Sequence, residues 1–158
     1  MSAMKVMVAF VVVAGTAQFA AGQSAEERAA EQQKRDQLRI AVQAICPISG
    51  QKLGSMGEPI KVQVGKETIF LCCKGCLKQK VKPNHWATIH ANFARAQRIG
   101  PVMKHELPKK PKWISVEGQI VYVCCPPCTK KIAADPQKYL REVDQLYTAA
   151  LDAKKKAG

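Results

Sequence analysis

Six of the seven cysteines in this 158-residue chain stand in two similar clusters, Cys72-Cys73-Lys-Gly-Cys76 and Cys124-Cys125-Pro-Pro-Cys128. Each follows an apolar run, Ile69-Phe70-Leu71 in one case and Val121-Tyr122-Val123 in the other, and the seventh cysteine, Cys46, precedes the first cluster. A thiolate is both a soft metal ligand and a nucleophile, so two chemistries fit this pattern. As a metal site, Cys46, Cys72, Cys73 and Cys76 supply up to four sulfurs, enough to close a tetrahedron around Zn(II) or to hold Cu(I) or another thiophilic metal. In that set Cys73 is either a fourth ligand or a buried apolar filler. The second cluster supplies three thiols, Cys124, Cys125 and Cys128, because Gly100-Pro101-Val102 stands where Cys46-Pro47-Ile48 opens the first. Met103 and His105 follow the vanished cysteine and are the candidate substitutes. Without them, three thiolates suit Cu(I) or an exchangeable metal, or the second copy serves packing alone. The rival chemistry is thiol-disulfide exchange, since Cys73-x-x-Cys76 and Cys125-x-x-Cys128 are both dithiol spacings. The third cysteine in each cluster, the partner Cys46 and the lack of a thioredoxin-like strand-helix alternation favour metal over redox.

Elements on either side must bring these sulfurs together. Ser24 to Ala44 is rich in helix formers, and Ser24 with Glu27 makes a capping box, so an N-terminal helix is expected, with Leu38, Ala41, Val42 and Ile45 as its apolar stripe. Alternating residues Ile60, Val62 and Val64, then Thr68, Phe70 and Cys72, predict a hairpin turned at Gly65-Lys66. A second hairpin is expected around Trp113 to Val116 and Gln119 to Val123, turned at Glu117-Gly118. After Cys76 a helical pattern is interrupted at Pro83 and resumes through Trp86, Ile89, His90 and Phe93, and the second cluster leads likewise to a restart at Asp135-Pro136. The expected fold is α+β: an N-terminal helix at 23–45, two small knuckle, β-hairpin and α-helix modules at 46–97 and 98–150, and a basic tail at 151–158. Cysteines at helix starts gain from the local positive potential, to which Lys74, Lys78 and Lys80 add, so thiolates are expected there. Trp86, Phe93, Trp113, Tyr122, Tyr139, Tyr147 and Met103 are expected in the core. His85 and His90 lack the i, i+4 spacing of a helical metal pair and are expected at the surface or half-buried.

Residues 1–22 read as a cleavable export signal, with Lys5, the apolar run Val6 to Gly15 and the small residues Ala20-Ala21-Gly22; the run is shorter than the roughly 20 residues a bilayer requires. The mature chain is therefore expected in the periplasm or outside the cell. There the basic balance, formally +13 for the whole chain and +12 once Lys5 is removed with the leader, points to weak association with acidic surfaces rather than to nucleic acid. Modules this small bury little apolar area, so each needs a staple such as a metal or a disulfide. No serine-histidine-aspartate order, carboxylate pair, phosphate loop or dinucleotide fingerprint is present, and Leu77 and Thr129 stand where haem attachment requires histidine. Apart from its thiols the chain offers no catalytic group, and it is read as a non-enzyme.

The pattern Cys46-x25-Cys72-x3-Cys76, entered by an apolar run and followed by a Pro-x-x-aromatic helix, resembles the TRASH/YHS-like heavy-metal-binding domains. The likeness covers both modules. It implies a treble-clef-like zinc-binding fold and ligand roles for Cys46, Cys72 and Cys76, and for Cys124 and Cys128. The partners expected are the metal ion itself and a metal transporter or another exported protein. Two departures stand out: the first spacing is a few residues long, and Gly100 breaks the motif in the second module.

Overall fold

The two alternating runs fold into the two antiparallel hairpins of the computed structural model, which describes residues 25–157. In chain order the elements are α1 (Ala25–Gln43), β1 (Ile60–Val64), β2 (Glu67–Leu71), a 3-10 turn (Lys74–Lys78), α2 (Pro83–Gln97), β3 (Lys112–Val116), β4 (Gln119–Val123), α3 (Cys128–Ala134) and α4 (Pro136–Lys156). The class is mixed α+β, as expected. The leader read at 1–22 and the capping residue Ser24 lie outside the described residues. Among the described residues, no helix is long and apolar enough to cross a membrane.

Turn chemistry sets both registers. Val64 pairs with Glu67 and Val116 with Gln119, leaving two-residue turns at Gly65-Lys66 and Glu117-Gly118. Glu117 (φ 51°) and Gly118 (φ 79°) both take the left-handed conformation that matches strand twist in a tight hairpin. The Gly118 carbonyl accepts the Thr68 N–H at 2.6 Å, so the tip of the second hairpin seats on β2. A Cβ on Gly118 would run into Thr68 Oγ1. Gly118→Ala is therefore expected to destabilise the protein by about 1–3 kcal/mol in urea titrations, through strain and overpacking together. A loss under about 0.5 kcal/mol, the scatter of neutral surface changes, would show that the contact yields freely.

Three helices pack together and close over the second hairpin. Their shared core contains Val42 of α1, Ile89 and Phe93 of α2, Val121 and Tyr122 of β4, and Leu140, Val143 and Tyr147 of α4. A smaller cluster, with Ile48, Leu53, Phe70 and Leu71 around Cys46, Cys72 and Cys76, lies apart. Prolines at the first turns of α2 and α4 start those helices without losing a hydrogen bond, and Asp135 caps α4 by accepting the Lys138 N–H at 3.2 Å.

The packing departs from expectation at three places. Val42 is buried and Leu38 and Ile45 pack against the core, but Ala41 is exposed, while Arg39 is buried at 5 % exposure. The reason is α4, which lies along α1 and presents Asp144 to it; Arg35 Nε stands 3.3 Å from Asp144 Oδ2. Trp113, opposite the buried Tyr122 across the hairpin, is 48 % exposed because its indole is covered only in part, donating to Glu67 Oε1 at 2.7 Å and lying 4.5 Å from the His90 ring. Met103, 45 % exposed, rides on a tight turn closed by the Lys104 N–H to the Gly100 carbonyl at 3.0 Å. His90 is half-buried, with Nδ1 2.7 Å from the Tyr122 hydroxyl.

Candidate metal centre

Site 1 begins with a helix end. α1 stops at Gln43, Ala44 takes a left-handed φ of 65°, and the chain turns so that the Cys46 N–H donates to Gln51 O at 2.8 Å and the Gly50 N–H returns to Cys46 O at 3.0 Å. This knuckle is held against the first hairpin by the fully buried side chain of Gln43. Its Nε2 donates to the carbonyls of Ile45 (2.9 Å) and Phe70 (2.7 Å), and its Oε1 accepts the Phe70 N–H (2.9 Å). Phe70 is two residues from Cys72, so one amide clamp brings the two ligand-bearing segments together.

Four sulfurs converge there. Cys46, Cys72 and Cys76 are all buried and their sulfurs lie within 4.8 Å of one another. The Cys46–Cys76 separation is 3.8 Å and Cys72–Cys76 is 3.7 Å, while Cys73 lies 3.9 Å from both Cys72 and Cys76. A Zn–S bond of about 2.3 Å in a tetrahedron implies sulfur-sulfur edges of ~3.8 Å. Cys46, Cys72 and Cys76 therefore fit a thiophilic metal in type and in spacing, and Cys73 stands at metal-site spacing from two of the three. Ser49 in the knuckle places its hydroxyl 3.3 Å from Cys72 Sγ and orients that sulfur from outside the set.

Electrostatics of the cluster point the same way. Burial pushes the Cys46 thiol up, but hydrogen bonds from the Ser49 and Cys72 amides and the Ser49 hydroxyl outweigh it and bring it down to about 6. Burial, contacts with the neighbouring sulfurs and the charge on Cys46 push Cys76 up to about 12. Cys72 is also raised, chiefly by burial, whereas contacts from Cys76 and Cys72 lower Cys73. One thiolate thus forms readily and opposes the rest; a cation at the centre removes that opposition and releases protons. The source of the thiolate differs from expectation. Cys73 precedes only a short 3-10 turn and Cys128 opens a seven-residue helix, so amides and Ser49 act here in place of a long helix dipole. Lys74, Lys78 and Lys80 are exposed.

Site 2 repeats the frame with a different outcome. Gln97 ends α2, Arg98 has φ 55°, and Gln97 Nε2 donates to the carbonyls of Ile99 (3.0 Å) and Tyr122 (2.8 Å) while its Oε1 accepts the Tyr122 N–H (2.9 Å). The Gly100 N–H donates to His105 O at 2.8 Å, as Cys46 does to Gln51. Cys124, Cys125 and Cys128 offer three sulfurs within 4.8 Å, with Cys124 at 3.9 Å from both of the others. Cys125 and Cys128, whose Cα atoms are 5.7 Å apart, are paired as a disulfide, leaving Cys124 free. Met103 and His105 are exposed, and His105 does not join the three cysteines. A Cβ on Gly100 would lie 2.9 Å from Cys124 Sγ and 3.3 Å from its Cβ. Cys124 therefore occupies the space a side chain at position 100 would need. Gly100→Ala is expected to destabilise by about 1–3 kcal/mol in a denaturation titration, and Gly100→Cys to do the same without adding a metal equivalent. An added equivalent in Gly100→Cys would show instead that Cys124 swings aside.

Sequence reasoning overlooked Gln43, Gln97 and Ser49. The glutamines carried a signal, the recurrence of Gln43-Ala-Ile-Cys-Pro47 as Gln97-Arg-Ile-Gly-Pro101; Ser49 carried none beyond its place in the knuckle. No family model matches this chain, and comparison with curated proteins and with solved structures likewise gave no match.

Proposed function

We propose that this chain is an exported metal-binding protein in which site 1 holds Zn(II), Cu(I) or a similarly thiophilic ion through Cys46, Cys72, Cys76 and Cys73. The observation that carries this reading is the convergence of three buried sulfurs, Cys46, Cys72 and Cys76, within 4.8 Å of one another, with Cys73 at 3.9 Å from two of them. Hard cations are disfavoured by an all-sulfur set, and the d¹⁰ ions Zn(II) and Cu(I) tolerate it best. The recurring glutamine clamp and cysteine frame support a duplicated ancestral module of the TRASH/YHS-like kind. Export and an exported partner such as a metal transporter remain part of the same proposal, resting on the leader-like composition of 1–22.

A second reading applies to site 2, where the Cys125–Cys128 pair favours redox chemistry. Two external thiols reduce that pair to two cysteine thiols and become one disulfide themselves, which balances electrons and protons. Only then does site 2 present three thiols to a metal. The test is anaerobic purification of the chain, with metal analysis and thiol counting before and after reduction. One metal equivalent before reduction and a second after it supports both readings. A metal-free folded chain with a Cys73–Cys76 disulfide overturns the metal reading.

A further inference from the structure

Three of the four sulfurs of site 1 are closed off from solvent: Cys46, Cys72 and Cys76 are 0 %, 1 % and 5 % exposed. Cys73 is different. It is partly exposed and lines an open groove of about 390 Å³ together with Met56, Glu58, Ile60, Lys74 and the almost wholly covered Cys72. Met56 is 60 % exposed, the most exposed of the large apolar side chains among the described residues, and is carried on a loop between Gly54 (φ 84°) and Gly57 (φ 105°). A thioether beside the single accessible sulfur of a thiolate set is a second soft donor on the way to the site. Lys74 and Glu58 line the groove together, and the exposed Lys78 and Lys80 that follow Lys74 outside it tip the surroundings toward an anionic visitor; the volume suits a molecule of a few residues.

We propose that Cys73 is the exchangeable ligand of site 1, and that metal passes between this chain and a small anionic thiol seated in the groove between Cys73 and Met56. The inference rests on the metal reading of site 1 and adds the route and the partner chemistry. In the first exchange the incoming thiol sulfur bonds the metal as the Cys73–metal bond breaks, and the thiol proton moves to the Cys73 sulfur; release is completed when further thiols replace Cys72, Cys76 and Cys46 in the same way, each returning one proton to the cysteine it displaces. No electron is transferred. Met56 acts before this step, offering its sulfur to a soft ion in transit, which aids Cu(I) and not Zn(II).

The experiment uses the full chain loaded anaerobically with Cu(I) or with Zn(II), and follows release of metal to glutathione, to the cationic thiol cysteamine and to neutral 2-mercaptoethanol. Release is expected to rise with thiol concentration and to be fastest with glutathione. Met56→Leu keeps the bulk and removes the sulfur, and is expected to slow Cu(I) transfer roughly five-fold while leaving Zn(II) transfer nearly unchanged. Limited alkylation of the zinc-loaded chain, read by peptide mass, is expected to modify Cys73 before Cys46, Cys72 or Cys76. Release independent of thiol concentration, equal slowing of both metals in Met56→Leu, or first alkylation at a buried cysteine each overturns the inference while leaving the metal site standing. A chain that retains no metal before any thiol is added overturns the metal reading itself.

Discussion

Cys46→Ser is expected to lower metal affinity at site 1 by more than about 100-fold, beyond the 10–100-fold that loss of an outer-shell partner typically costs. Cys46 is fully buried, sits 3.8 Å from Cys76, and is the cysteine whose thiol is brought down to about 6, so it supplies the first negative charge that draws a cation in. Serine keeps the shape but does not ionise, and leaves a hard oxygen in a soft set. Ser49→Ala provides the graded comparison. Its hydroxyl orients Cys72 from outside the set, so a loss within about 10–100-fold is expected. Because binding is linked to folding, the loaded wild type at metal about 1,000-fold above Kd gains about 4 kcal/mol, an increase in Tm on the order of 10 °C. Cys46→Ser should forfeit most of that gain, and a chelator should remove it from the wild type. Competition titration and thermal unfolding with and without metal check both numbers. Equal affinity in Cys46→Ser and wild type would remove Cys46 from the ligand set.

Gln43→Ala is expected to destabilise the protein by about 3–5 kcal/mol even without metal. Its amide is 0 % exposed and satisfies the N–H and C=O of Phe70 and the C=O of Ile45, all at 2.7–2.9 Å. Truncation leaves these groups in a closed space, at about 1–3 kcal/mol for each buried group left unpaired. Gln43→Glu is nearly isosteric but replaces the donating NH2 with a second acceptor facing two carbonyls, so it should fall in the same range. Gln33→Ala on the exposed face of α1 should stay within about 0.5 kcal/mol. Urea midpoints of the three variants test the assignment; a Gln43→Ala loss under about 1 kcal/mol would falsify the clamp as a structural element.

Much of the local architecture was legible in the chain. Alternation at Ile60, Val62 and Val64 and the Gly65-Lys66 and Glu117-Gly118 dipeptides placed both hairpins and their turns, because a two-residue turn fixes the register of its flanking strands. Pro83 and Pro136 marked helix starts for a similarly local reason, a ring that presets φ. Burial was read less well. Trp113 and Met103 look like core residues by type, yet Trp113 is covered only in part by His90 and Glu67 and Met103 rides on an exposed turn, and Arg39 looks like a surface residue until α4 lies along α1.

By itself the sequence determined the chemistry on offer: soft sulfur ligands, four available to the first site and three to the second, with Gly100 breaking the symmetry between them. Residue type and short-range spacing suffice for that, since ligand softness is a property of the atom and hairpins form between neighbours. Only the tertiary structure decided that Cys46 comes within 3.8 Å of Cys76 and that a buried glutamine ties each knuckle to its hairpin. Those outcomes depend on distances between groups far apart in the chain. Such distances are set by packing the whole fold, so no local pattern encodes them.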